Sequence, residues 1–224
     1  ICDSEKLEPL PRELQLNDVK EYSTAIMNCG RSQDWKGAMS LLDEMPAKHV
    51  PPNVINFNTA ISACGKGKQP LLAMSLLHEM RARAVMPDAI SFGTAMSACE
   101  HVGMWQCALS LFGEMRAASV SPDLFRFNAL ISACEKGGSW VQALSLLHKM
   151  QESGITPDVM SFSTVISACR KGEKYCHALR ELDNMCSVGL ALDAISFNTA
   201  ISLCESGERW EQAILLLEKM ESMK

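Results

Sequence analysis

Among ten cysteines there is no C-x-x-C pair, which removes the usual spacing of a zinc knuckle or a thioredoxin-type redox centre. No apolar run approaches the roughly 18 residues that a membrane-spanning helix needs. Aromatic side chains are scarce, at 6% of 224 residues. Positive charge is not in excess either: 21 Lys and Arg face 26 Asp and Glu, a formal charge of −5. A broadly basic surface is therefore excluded, although only the charge of a contacting face decides what that face binds. No stretch alternates polar and apolar residues as a half-buried strand would. His49, His78, His101, His148 and His177 are scattered along the chain, and no H-x-E precedes a cysteine pair, so a deaminase-type zinc centre is ruled out. No catalytic residues, metal site or cofactor are expected, and no membrane partner.

What is present is repetition. FNTAISAC (57–64) returns as FGTAMSAC (92–99), FNALISAC (127–134), FSTVISAC (162–169) and FNTAISLC (197–204). The opening aromatic falls at Tyr22, Phe57, Phe92, Phe127, Phe162 and Phe197, one every 35 residues. Cys29, Cys64, Cys99, Cys134, Cys169 and Cys204 keep the same step, as do the columns that begin at Ala38 and Met45. An unbroken period of this length marks an array of supersecondary units that bury their apolar faces only by stacking.

Each unit predicts two helices. Phe57, Ala60, Ile61 and Cys64 follow the i, i+3, i+4, i+7 pattern of one helix face, and the helix is expected to stop around Gly65-Lys66-Gly67. A second amphipathic stretch follows, clearest at Trp140, Ala143, Leu146, Leu147 and Met150. The expected fold is an all-α solenoid of six helix-turn-helix repeats of 35 residues, over 19–53, 54–88, 89–123, 124–158, 159–193 and a truncated 194–224. Residues 1–18 are expected to be a decayed half repeat, because Leu7 and Leu10 fall one period before Leu42 and Met45. Further chain is expected beyond both ends. The Cys column fits small buried side chains, and the ring column (Trp35, Trp105, Trp140, Tyr175, Trp210) fits packing better than base stacking.

At about 100° per residue, Ile55, Asn58, Ser62 and Gly65-Lys66 fall roughly 140° from the apolar seam. That second face should be bland and solvated, yet four columns there are not. The residue after the aromatic is small: Ser23, Asn58, Gly93, Asn128, Ser163 and Asn198. The residue closing each unit is Asn53, Asp88, Asp123, Asp158 or Asp193. Two positions before the aromatic stand Lys20, Ile55, Ile90, Phe125, Met160 and Ile195, an apolar stripe with one exception, of the kind that marks a binding surface. A basic line follows at Arg31, Lys66, His101, Lys136 and Lys171. Two plain explanations compete. An Asp before a helix is a favoured N-cap worth about 1 kcal/mol, and a basic residue in a last turn offsets the helix dipole.

These columns resemble the pentatricopeptide repeat family of RNA-binding proteins. The period, the aromatic-Asn/Ser-Thr-x-Ile phrase, the A-x-x-L-x-x-x-M second helix and the closing Pro-Asp or Pro-Asn carry the likeness over 19–224. The resemblance implies a right-handed superhelix that binds single-stranded RNA at one base per repeat, each base met by two or three side chains. It also implies a mitochondrial or chloroplast setting, a monomer, and RNA-processing proteins as possible partners.

The residue types suit that task. A carboxylate accepts from the N–H edge of uracil or guanine but donates nothing to the ring nitrogen of adenine or cytosine, whereas Asn can donate. By the family's code, Ser23 with Asn53 implies A. Asn58 with Asp88 and Asn128 with Asp158 imply U, and Ser163 with Asp193 implies G. Gly93 with Asp123 departs from the pattern and leaves G or U open, while Asn198 implies a pyrimidine. The expected target is 5′-A-U-(G/U)-U-G-(C/U)-3′. The apolar column would pack against bases, and the basic line would steer phosphates. The competing class is a helical-repeat scaffold that holds peptides and ignores RNA.

Overall fold

The computed structural model describes residues 18–190. Residues 1–17, the sixth unit, and the site candidates Asp193, Ile195 and Asn198 lie outside the described residues. The described chain is ten helices without a strand: α1 (Val19–Arg31), α2 (Trp35–Ala47), α3 (Val54–Lys66), α4 (Pro70–Ala82), α5 (Ala89–Val102), α6 (Trp105–Ala117), α7 (Leu124–Lys136), α8 (Trp140–Glu152), α9 (Val159–Lys171) and α10 (Tyr175–Ser187). They form five hairpins in the register of the repeat.

Each helix ends in the same way, and the repeated letters supply the parts. The N–H of Asp34, Gln69, Met104, Ser139 and Lys174 bonds back to the carbonyl of the Cys column, from Cys29 to Cys169, at 2.8–3.0 Å. The N–H of Val50, Val85, Val120, Ile155 and Leu190 likewise returns to the carbonyl of the Met column, from Met45 to Met185. These are six-to-one closures with a left-handed residue just before the donor. Gly103, Gly138, Gly154 and Gly189 fill some of those positions, but Gln33, His49, Lys68, Ala84, Ser119 and Glu173 hold positive φ without being glycine.

Between hairpins the first helices pack on one another in succession, α1 on α3, α3 on α5, α5 on α7 and α7 on α9. The second helices rest on their own partner and on the next first helix. The first helices therefore line the tighter, inner wall. Small residues let them approach: a Cβ on Gly65 would lie 3.2 Å from that of Ala98.

The seam residues Phe57, Ala60, Ile61 and Cys64 are fully buried, as are Ala73, Leu77 and Met80 opposite. Each large side chain so buried contributes about 1.5–3 kcal/mol. The Cys column is free thiol throughout the described residues, and burial pushes Cys99 up to about 12 and Cys64, Cys134 and Cys169 up to about 11. Such thiols are unreactive packing groups.

The ring column packs rather than faces the groove. A Cβ on Gly67, Gly137 or Gly172 would meet Cδ1 of Trp35, Trp105 or Trp140 at 2.4–2.5 Å. Each indole therefore presses on the first-helix end of the following hairpin. Where Pro70 replaces the ring, the corresponding residue is Val102, and α5 runs one residue longer to include it.

Candidate nucleic-acid interface

The N-termini of α3, α5, α7 and α9 place the closing Asn/Asp column at the inner wall. Asn53, Asp88, Asp123 and Asp158 have extended backbone, and each side chain accepts the N–H of the residue three positions on. Capping is thus real, but it does not use the carboxylate up. Asp88 receives the Ser91 N–H at 2.8 Å, the Ser91 hydroxyl at 2.8 Å and the Asn58 amide at 3.2 Å, all on Oδ1. Among the described residues no side-chain bond falls on its Oδ2. Asp158 repeats the pattern with Ser161 at 2.8 Å and Asn128 at 3.2 Å. The two letters that the sequence pairs across 30 residues are therefore in direct contact in the second and fourth units.

Burial alone would raise the Asp88 and Asp158 carboxyls. The Ser91 or Ser161 backbone and hydroxyl, with the Asn58 or Asn128 amide, outweigh it and hold both below the usual carboxylate range. Both are acceptors at neutral pH.

The first unit is wired differently. Ser23 donates to the Val19 carbonyl at 2.7 Å and accepts from the Asn56 amide at 2.8 Å. Asn56 in turn exchanges two bonds with Asn53 at 3.0 Å. Ser23 and Asn53 are thus linked through Asn56 rather than directly. In the third unit Gly93 is buried and offers no side chain, and Arg126 bonds to Asp123 beside it. Ser163 is half-buried at its expected place on α9.

A column that sequence reasoning missed joins these pairs. Asn56, Ser91 and Ser161 are fully buried polar residues, three positions after the cap and directly before the aromatic. The signal was available, since a polar residue three after an Asn or Asp is the spacing of a capping box.

The apolar column stands in solvent on the same wall. Ile55, Ile90, Phe125 and Met160 are 60–65% exposed, and Lys20 continues the row. One concavity of about 450 Å³ is lined by Ile55, Ile90, Asn58, Arg31 and Lys66, together with Thr59, Ser62 and Thr94. Residues from three separately identified columns thus converge on one groove between α1, α3 and α5.

The basic line is exposed but partly engaged. Lys66 donates to the Gly30 carbonyl at 3.1 Å and so caps the last turn of α1. Lys136 pairs with Glu100 at 2.9 Å, and Lys171 with Glu135 at 2.7 Å. Each Glu also accepts a serine hydroxyl, from Ser132 or Ser167. Arg31 and His101 form no such ion pair among the described residues. The Glu partners lie one unit back, at 36 residues' separation, where a single-repeat view does not look. Among the described residues no three His, Cys, Asp or Glu side chains gather to hold a metal, and no helix is long and apolar enough to cross a membrane.

Stacked hairpins whose first helices line a groove with matched polar pairs define an α-solenoid of the superhelical-repeat class. Three family models match it: the PPR repeat family over 52–101 and 122–171, the pentatricopeptide repeat domain over 12–67, and the PPR repeat over 90–120 and 195–224. The chain belongs to the pentatricopeptide repeat family. No curated protein matches it. Among solved structures it is similar to the pentatricopeptide repeat protein PPR10 from maize, with TM-score 0.73 and 27% identity over 96% of this chain. PPR10 in complex with an 18-nt psaJ RNA element gives TM-score 0.65 and 26% identity over 96% of this chain. The chain spans about a third of PPR10's length, 31% and 30% in the two structures. The PPR domain of Arabidopsis thaliana protein-only RNase P 1, in complex with tRNA, gives TM-score 0.70 at 13% identity, covering 84% of this chain and 98% of that one. This last likeness concerns the fold.

Proposed function

We propose that this chain binds single-stranded RNA along its inner wall, one base per hairpin, in the order 5′-A-U-(G/U)-U-G-(C/U)-3′. The observation that carries the reading is the groove at Ile55 and Ile90. Two exposed apolar side chains line it with Asn58, whose amide is bonded to Asp88, and the cations Arg31 and Lys66 line it too. That is the arrangement an unpaired base requires: faces packed, edge hydrogen-bonded, phosphate outside. The RNA carried by the PPR10 structure supports the same reading.

The repeats act as a binder rather than a catalyst, protecting, remodelling or addressing a transcript for processing, editing or translation. The family resemblance favours a mitochondrial or chloroplast transcript and action as a monomer. The test is a binding series at fixed salt. RNA containing AUGUG should bind at least tenfold more tightly than its complement or a duplex of the two. Equal binding of all three would overturn the proposal, and a chain that binds peptides but no RNA would place it among protein scaffolds.

A further inference from the structure

The base site of the third unit, completed by the first turn of the fourth, departs from the others at two positions that touch. Gly93 stands where Ser23, Asn58 and Asn128 stand elsewhere, and Arg126 stands where Asn56, Ser91 and Ser161 stand. The Arg126 side chain is only 13% exposed. Its Nη2 donates to the Ala89 carbonyl at 2.6 Å, and its Nη1 pairs with Asp123 Oδ2. A Cβ built on Gly93 would lie 3.3 Å from that Nη2. The guanidinium therefore occupies the ground beside the absent side chain, and its Nε is buried without a hydrogen bond. Capping does not explain this placement, because the Arg126 N–H already bonds Asp123 at 3.0 Å, as any residue there would.

We infer that Arg126, not residue 93, is the specificity-determining side chain of the third unit, and that it makes that unit select guanine. The inference rests on the RNA-binding reading above. In the second unit no side chain holds Asp88 Oδ2; in the third that oxygen is held by Arg126, so the polar edge offered to a base changes from acceptor to donor. A guanidinium only donates, through a planar fork. Guanine places two acceptors, O6 and N7, at the spacing of that fork, with an N1–H beside O6 for the neighbouring carboxylate; cytosine offers the same order through O2, N3 and its amino group, but on a single small ring. Uracil has a matching N–H but one carbonyl on that side and a smaller ring to span the gap left by Gly93. Adenine puts an amino donor against the fork.

The experiment uses the whole chain with four RNAs of the form AUNUG, differing only at the third nucleotide, at fixed salt. Arg126→Ser and Arg126→Lys are compared with wild type. Serine belongs to the capping boxes at Ser91 and Ser161, so it should fold there, and circular dichroism checks helix content. Wild type should prefer G at N by about tenfold. Arg126→Ser should abolish the preference for G over U, because it returns Asp123 Oδ2 as an acceptor for the N–H that both bases carry, and Arg126→Lys should keep overall affinity but lose the G preference, because charge remains without the fork. A G preference that is absent in wild type, or unchanged in Arg126→Ser, overturns the inference. Exchanging U for C at the second and fourth nucleotides, with wild type, tests the underlying reading separately. If those exchanges change nothing, base reading itself fails, whatever happens at N.

Discussion

Asn128 donates from Nδ2 to Asp158 Oδ1 at 3.2 Å, across thirty residues of chain and the junction between two hairpins. The same bond joins Asn58 to Asp88 at the same distance. A contact reproduced one double-repeat away arises from the geometry of stacking. Among the side-chain bonds of the described residues, it leaves Asp158 Oδ2 with only the 3.5 Å approach of the same amide.

Asp158→Asn should move the fourth unit's preference from U towards C by about tenfold, read from RNAs that differ only at the fourth nucleotide. Asn caps a helix about as well as Asp, so the melting temperature should barely change. A drop in thermal stability with unaltered base preference would mean that Asp158 is a cap and nothing more.

Glu135→Gln should tighten RNA binding. The substitution removes the charge that holds Lys171 at 2.7 Å and releases an ammonium to the groove rim. Each freed phosphate contact steepens the dependence of log K on log salt by about 0.7 for a single strand, so the slope distinguishes a released cation from a general loosening.

Acid should weaken recognition and stability together, but only at low pH. The folded pKa values of Asp88 and Asp158 lie below the unfolded value, which is about 3.9. Their contribution is therefore complete above about pH 4 and is lost as pH falls through the lower folded value. Preference for U over C at the second and fourth nucleotides should be flat from pH 5 to 8. A midpoint near neutrality would point to a histidine instead.

Gly172→Val should destabilise the fifth hairpin by about 1–3 kcal/mol, because even a Cβ there would meet the Trp140 ring at 2.4 Å. Adding Trp140→Pro should restore part of the loss, reproducing the Pro70 and Val102 combination that the chain uses two junctions earlier. Thermal melts of the single and double variants give the coupling directly.

Much of this protein is legible one repeat at a time. The 35-residue step, the helix faces and the seam from Phe57 to Cys64 follow from periodicity, since an apolar stripe at 3.6-residue spacing has only one way to be buried in a stack. Helix ends were legible too, because the six-to-one closures and caps draw on residues within six positions of one another. Even the pairing of Trp with Gly, and of Pro70 with Val102, lies open in the letters once two columns 32 residues apart are compared.

What only the tertiary structure decided is which side chains share a hydrogen bond across a hairpin junction. Asn56 mediates between Ser23 and Asn53, Glu100 and Glu135 claim two lysines, and Arg126 moves in beside Gly93. Periodicity sets direction about a helix axis, which is a one-dimensional quantity. Hydrogen bonds depend on separations of about 3 Å, and those are set by how closely one first helix settles on the next.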